Sequence, residues 1–141
     1  MKKLSIDELP VYRAAPPNER NNVLLVDGQD GAKNLSVGIG AYSKGQASEF
    51  HVHAGEEEVM IYLKGCGEME LEDGTRTALA KGDVTFVPEG ESHRLHNAGD
   101  EDFVFMFIYS PSGPERNIRK WNVLKDAQFT LENYQLISRR A

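Results

Sequence analysis

The middle of this chain predicts an all-β fold: a sandwich, jelly roll or barrel built from short strands. Apolar and polar residues alternate there with period two, the spacing that sends successive side chains to opposite faces of a strand. Gly and Pro interrupt the alternation at short, roughly regular intervals, and no helical repeat is seen before the last third.

The elements follow in order. Leu35, Val37, Ile39 and Ala41 alternate with small residues, and Ser43-Lys44-Gly45 ends that strand. Val59 to Leu63 is a compact apolar run closed by Lys64-Gly65-Cys66-Gly67. Residues 68–72 and 75–79 flank Asp73-Gly74, a strong hairpin signal because both central positions of a type I′ turn need φ > 0. Lys81-Gly82-Asp83 turns into Val84 to Val87, which Pro88-Glu89-Gly90 stops. The polar stretch Asn97 to Asp102 leads into Phe103 to Tyr109, and Ser110-Pro111 with Gly113-Pro114 ends that run. At least seven strands result. Residues 4–26 and 118–137 are mixed in pattern, with a helix compatible around Asp126 to Tyr134, and they read as arms or edge strands.

The bulk numbers fit one domain with its own core over residues 1–141, the core at about 35–111 and arms at 1–34 and 112–141. Forty per cent apolar and 27% charged residues describe an ordinary globule, not a disordered or membrane chain. A formal net charge of −6 argues against nucleic acid or an anionic membrane as partner. Two early lysines have no apolar run behind them, so no signal peptide is visible, and no stretch is long and apolar enough for a spanning helix. The single Cys66 excludes an intrachain disulfide and fits a reducing compartment, so a cytoplasmic location is expected. Glu68, Glu70 and Glu72 beside Cys66 argue against a reactive thiol.

Two clusters carry candidate ligands. The first runs Gly45-Gln-Ala-Ser-Glu-Phe-His51-Val-His53-Ala-Gly-Glu-Glu-Glu58, with Gly65 after six more residues. The second runs Gly82-Asp-Val-Thr-Phe-Val-Pro88-Glu-Gly90-Glu-Ser-His93-Arg-Leu-His-Asn97. On a strand, His51 and His53 would face the same side, where two imidazoles can reach one ion.

Together these clusters resemble the two cupin motifs, G-x5-H-x-H-x(3,4)-E-x6-G and G-x5-P-x-G-x2-H-x3-N, at every fixed position. The resemblance covers about residues 35–111. It implies a cupin-type double-stranded β-helix, a jelly-roll barrel with short N- and C-terminal arms, in agreement with the independent strand count. It also implies that His51, His53, Glu58 and His93 hold one divalent transition metal. Glu57 would satisfy the looser spacing, but the six-residue gap to Gly65 selects Glu58. Imidazole ligands suit iron, nickel, copper or zinc and a carboxylate admits manganese, so the ligand set does not choose among Fe, Mn, Ni, Zn and Cu. Four ligands leave coordination positions open, the arrangement used in catalysis.

If Glu58 points inward, so do Met60 and Tyr62. On the last long strand the aromatic set Phe103, Phe105, Phe107 and Tyr109 is expected to face the interior, with Phe103 filling core. Glu49 shares the face of His51 and is placed as a base near the mouth, while His96 falls on the face opposite His93. The expected substrate contacts are therefore Glu49, Met60, Tyr62, Phe105, Phe107 and Tyr109, in a mostly apolar cavity suited to a small molecule. No catalytic residue is assigned from the sequence. There is no phosphate loop, dinucleotide fingerprint or Gly-x-Ser-x-Gly elbow, so a metal would have to carry any reaction.

Val59 to Leu63 and Phe103 to Tyr109 are apolar on both faces, so their outer faces should be covered, by the arms or by a second subunit. A homodimer, common in the resembled family, is expected. Three functions remain in play. The first is a metal-dependent enzyme of dioxygenase type on a small oxygenated substrate. The second is a metal-dependent isomerase, epimerase or lyase on a sugar or sugar acid, and the third a non-catalytic small-molecule-binding module.

Overall fold

The period-two pattern folds into two facing antiparallel sheets. The computed structural model describes residues 1–139. Its strands are β1 (Val11–Arg13), β2 (Asn21–Val26), β3 (Ser36–Tyr42), β4 (Glu57–Lys64), β5 (Cys66–Leu71), β6 (Arg76–Ala80), β7 (Val84–Val87), β8 (His93–Asn97), β9 (Phe103–Ser110), β10 (Asn122–Val123), β11 (Ala127–Thr130) and β12 (Gln135–Ser138), with one helical turn, α1 (Glu115–Ile118). A seven-stranded sheet runs in the order β10-β1-β2-β3-β9-β4-β7, a three-stranded sheet in the order β6-β5-β8, and β11 and β12 form a separate hairpin. This is the jelly-roll barrel expected from the sequence.

The space between the sheets is filled from both sides. Tyr12, Leu24, Tyr42, Met60, Tyr62, Val87, Phe103, Phe105, Phe107 and Tyr109 of the larger sheet meet Met69, Leu79 and Leu95 of the smaller one. The odd, aromatic residues of β9 therefore face the interior. Gly38 and Gly40 on β3 make room for them: a Cβ at either position would run into the Phe107 or Phe105 ring. At the β4–β5 junction Gly65 adopts φ 79, and a side chain there would collide with the Asp102 carbonyl.

A second core lies on the outer face. Val104 of β9, Ile39 and Ala41 of β3 and Val11 and Val23 of the N-terminal strands are closed over by Phe129, with Leu124, Tyr134 and Leu136 packed alongside. The arms thus supply much of the cover that the apolar outer face demanded. Both arms join the large sheet, because β1 pairs with β2 on one side and with β10 on the other.

Two sequence expectations are corrected. The helix compatible with Asp126 to Tyr134 does not form: β11 and β12 pair antiparallel from Ala127↔Ser138 to Thr130↔Gln135, and Asn133 (φ 60) and Tyr134 (φ 45) make a left-handed turn. Burial of Phe129 in the second core overrides the local helical propensity. Cys66, placed in a turn, is instead the first residue of β5, though exposed.

Candidate metal centre

The four candidate ligands come from three separate places and meet inside the barrel. Glu58 lies near the start of β4, level with Tyr109 of β9, and faces inward. His93 opens β8. His51 and His53 lie on an extended segment rather than the regular strand expected for them, with His51 in an isolated bridge to His93. That bridge is closed by two reciprocal backbone bonds, His51 N–H to His93 O at 3.0 Å and His93 N–H to His51 O at 2.9 Å. Ser48 N–H to Leu95 O at 2.9 Å and Asn97 N–H to Gln46 O at 2.9 Å hold the rest of the segment along β8. His53 is fixed from the second cluster, since its carbonyl accepts Gly90 N–H at 3.1 Å where Gly90 turns with φ 80. Asn97 is a structural brace: its amide donates to Tyr42 O and Glu101 O at 2.9 and 2.8 Å and accepts from Gly99 N at 2.9 Å.

One donor atom from each of His51, His53, Glu58 and His93 lies within 4.8 Å of all the others. The outer ring nitrogens of His51 and His93 are already committed. Nδ1 of His51 donates to Glu49 O and Nδ1 of His93 to Glu91 O, each at 2.9 Å, which leaves both Nε2 lone pairs directed at the cluster. Glu58 Oε1 stands 3.4 Å from His53 Nε2 and 3.3 Å from His93 Nε2. Yet His53 Nε2 and Glu58 Oε1 are buried with no hydrogen-bond partner among the described residues. Orphaned donors of this kind cost free energy in a folded protein. An imidazole–carboxylate set whose inward atoms lack partners fits a divalent metal, held by three nitrogens and one oxygen.

Charge follows the same pattern. Burial works to raise the Glu58 carboxyl, but the imidazoles of His53 and His93 prevail and hold it below the usual carboxylate value. Burial and the neighbouring His93 push His51 down to about 4. His93 is raised, because the Glu58 carboxylate beside it outweighs the burial that lowers it. Tyr109, whose ring stands 4.9 Å from that of His53, is buried and faces the Glu58 carboxylate, and both keep its phenol protonated.

The cluster opens into a cavity of about 550 Å³. Of the expected substrate contacts, Glu49, Met60, Phe105, Phe107 and Tyr109 line it. Tyr62 does not, and this corrects the sequence expectation: its hydroxyl is tied to Thr85 Oγ1 at 2.8 Å and its ring stacks on Phe103 at 5.4 Å, so it belongs to the core below the cavity. His96 turns away from the ligands and lies 4.0 Å from Glu68 on the barrel's outer side.

The cavity is more polar than the sequence suggested, because the arms reach it. Arg20 and Asn22 enter from the N-terminal side, and Arg116, Asn117, Ile118 and Trp121 roof it from the C-terminal side. Arg20 sits 4.7 Å over the Trp121 ring and contacts Glu49 at 3.3 and 3.4 Å. Burial would raise the Glu49 carboxyl, but backbone hydrogen bonding and Arg20 hold it below its ordinary value. The roof is tied down by buried Glu115, which accepts Ser36 Oγ–H at 2.9 Å and Gly113 N–H at 2.7 Å, and by Arg119, which donates to Asp27 at 2.6 Å and Tyr12 at 3.3 Å. No local motif marks Arg20, Asn22 or Trp121; only the packing of the arms brings them to the site.

Comparison with known proteins agrees with this architecture. The family model of the cupin domain matches residues 38–109. The chain is 30% identical over 112 residues to the uncharacterized protein SCO3923 of Streptomyces coelicolor, covering 79% of this chain and 97% of that one. It is 26% identical over 121 residues to polyketide synthase CurC of Streptomyces cyaneus, covering 84% and 78%. A shorter match, 39% over 64 residues, links it to glucose-6-phosphate isomerase of Pyrococcus furiosus, of which it spans only 34%. Among solved structures, the polyketide cyclase RemF from Streptomyces resistomycificus superposes with a TM-score of 0.71 at 21% identity, covering 81% of this chain and 82% of that one. A predicted oxalate decarboxylase from Thermotoga maritima gives 0.68 at 22% identity, covering 78% and 99%. At these identities the structural likeness speaks for the fold.

Proposed function

Since this chain belongs to the cupin family, we propose that its four-residue cluster holds one divalent transition metal and that the protein is an enzyme acting on a small enolisable carbonyl compound. The observation that carries the reading is a set of candidate ligands with orphaned inward atoms, opening onto a cavity with a carboxylate and a phenol on its wall. A metal held by His51, His53, Glu58 and His93 would supply a Lewis acid that polarises a substrate carbonyl. Glu49 stands on the cavity wall two residues before His51 and is the chain's group for taking an α-proton, with Arg20 fixing its orientation. Tyr109 is the phenol beside the ligands that can return a proton to oxygen. Phe105, Phe107 and Met60 line the slot and exclude water around the reacting centre.

Redox-neutral chemistry of the isomerase, lyase or cyclase class is the outcome we favour over oxygen insertion. Isomerase and polyketide synthase are the activities that the names of relatives carry, and removal of a proton next to a carbonyl is chemistry open to both. The dioxygenase reading uses the same ligands and the same cavity, and one experiment separates the two. Metal-reconstituted protein is incubated in deuterated water with a panel of β-diketones, α-hydroxy ketones and sugar acids, with NMR and an oxygen electrode as readouts. Deuterium entering the α-position without oxygen uptake supports enolisation, whereas oxygen uptake moves the assignment to a dioxygenase. Neither signal, with metal bound, leaves a small-molecule-binding module. Glu49→Gln should lower turnover about 10²- to 10⁴-fold with metal content unchanged; undiminished turnover would remove Glu49 from the mechanism.

The proposal includes a homodimer. Val84 and Phe86 on edge strand β7 are 63% and 57% exposed, and by register they continue the outward row of Val59, Ile61, Met106 and Ile108. The arms leave this side of the sheet open.

A further inference from the structure

The chemistry above does not explain the place of Asn22 in the cavity. It lies on β2 between Tyr12 of β1 and Gly40 of β3 and points to the barrel interior with Leu24. Only 7% of it is exposed, it lines the cavity, and its Oδ1 is buried without a hydrogen-bond partner among the described residues. Its neighbour Asn21 shows what a structural asparagine looks like here: it points the other way, donates to Ala41 O at 3.1 Å and accepts from Arg13 at 2.8 Å.

A buried amide oxygen without a partner destabilises the fold, and leucine or alanine there would avoid that cost. We propose that Asn22 is a specificity-determining residue that binds a hydroxyl at the end of the substrate remote from the metal. By register Asn22 is level with Phe105, four residues along β9 from the Tyr109 beside Glu58, which is about 13 Å of strand. By the same register Phe105 and Phe107 line the wall over that length, and the Tyr42 ring also lines the cavity. The occupant is therefore a molecule with a carbonyl end at the metal ligands, a flat apolar middle and a hydroxyl at the far end. A hydroxyl both donates and accepts, so it satisfies the amide in either orientation.

This inference rests on the reading that the substrate meets the metal, and the test keeps the two apart. The probes are benzoylacetone, a metal-chelating β-diketone, and its 4-hydroxyphenyl counterpart, titrated calorimetrically into zinc-loaded wild type, Asn22→Leu and Asn22→Ala. Apo-protein melting temperatures are measured alongside. Expected is wild-type binding about tenfold tighter for the hydroxylated diketone, loss of that preference in both variants, and apo variants that melt at or above the wild type. A preference that survives in both variants, or is absent in the wild type, overturns the assignment of Asn22. So does a melting temperature several degrees lower in both, since the amide would then be structural. Failure of either diketone to bind the zinc-loaded wild type would overturn the metal-held substrate itself and this inference with it.

Discussion

At the residue scale, His51 and His93 are defined by what their outer nitrogens do. His93 gives Nδ1–H to Glu91 O and keeps Nε2 for the cluster, whereas His96, three residues on, faces Glu68 outside the barrel. His93→Ala should take bound metal from about one per chain to near zero with the far-ultraviolet spectrum intact, and His96→Ala should leave metal unchanged, both read by elemental analysis. Protons compete with metal for the same lone pairs. Because Glu58 holds His93 above the ordinary imidazole value of 6.5, while His51 stays near 4, occupancy against a weak chelator should fall as acidity rises through the His93 range. Full occupancy down to pH 4 would show that His93 is not a ligand. The clustering of His51, His53, Glu58 and His93 was legible because the motif fixes type and spacing together. Parity alone told His96 from His93 and placed Phe105, Phe107 and Tyr109 inward. Tyr62 was misjudged because parity says which face a side chain takes, not that Thr85 is waiting for its hydroxyl.

At the scale of elements, turn glycines and strand alternation made the barrel strands readable, since both are local signals. The hairpin β11–β12 was not: its strands are short, and the reason Phe129 adopts an extended backbone is a core that draws Val11, Val23, Ile39, Ala41 and Val104 from distant parts of the chain. The same holds for the roof, where α1 is only four residues long and owes its position to Glu115. Removing that carboxylate leaves Ser36 Oγ and Gly113 N unpaired. Glu115→Ala should cost about 2–3 kcal/mol, measured by denaturant unfolding, and should raise KM more than it lowers kcat, because the roof loosens while the ligands stay put. An equal loss in both would place Glu115 in the chemistry instead.

At the scale of the molecule, the apolar run on both faces of β4 and β9 asks for cover on the outer sheet. The arms cover the β1–β2–β3 side, and the β7 side is where we propose a partner subunit. Introducing charge with Val84→Glu and Phe86→Glu should convert a dimer to a monomer by light scattering, with metal content retained. A mass unchanged by the double substitution would place any subunit contact elsewhere. The two arms also have a practical bearing on anyone shortening this protein. The stretch from Gly113 to Trp121 that encloses the cavity runs without a break into β10, which zips onto β1, and on into the hairpin that seals the second core. A truncation at the end of the barrel strands would keep every ligand and still give an unroofed, sticky fragment, so expression trials and crystallisation designs should keep residues 112–138 whole.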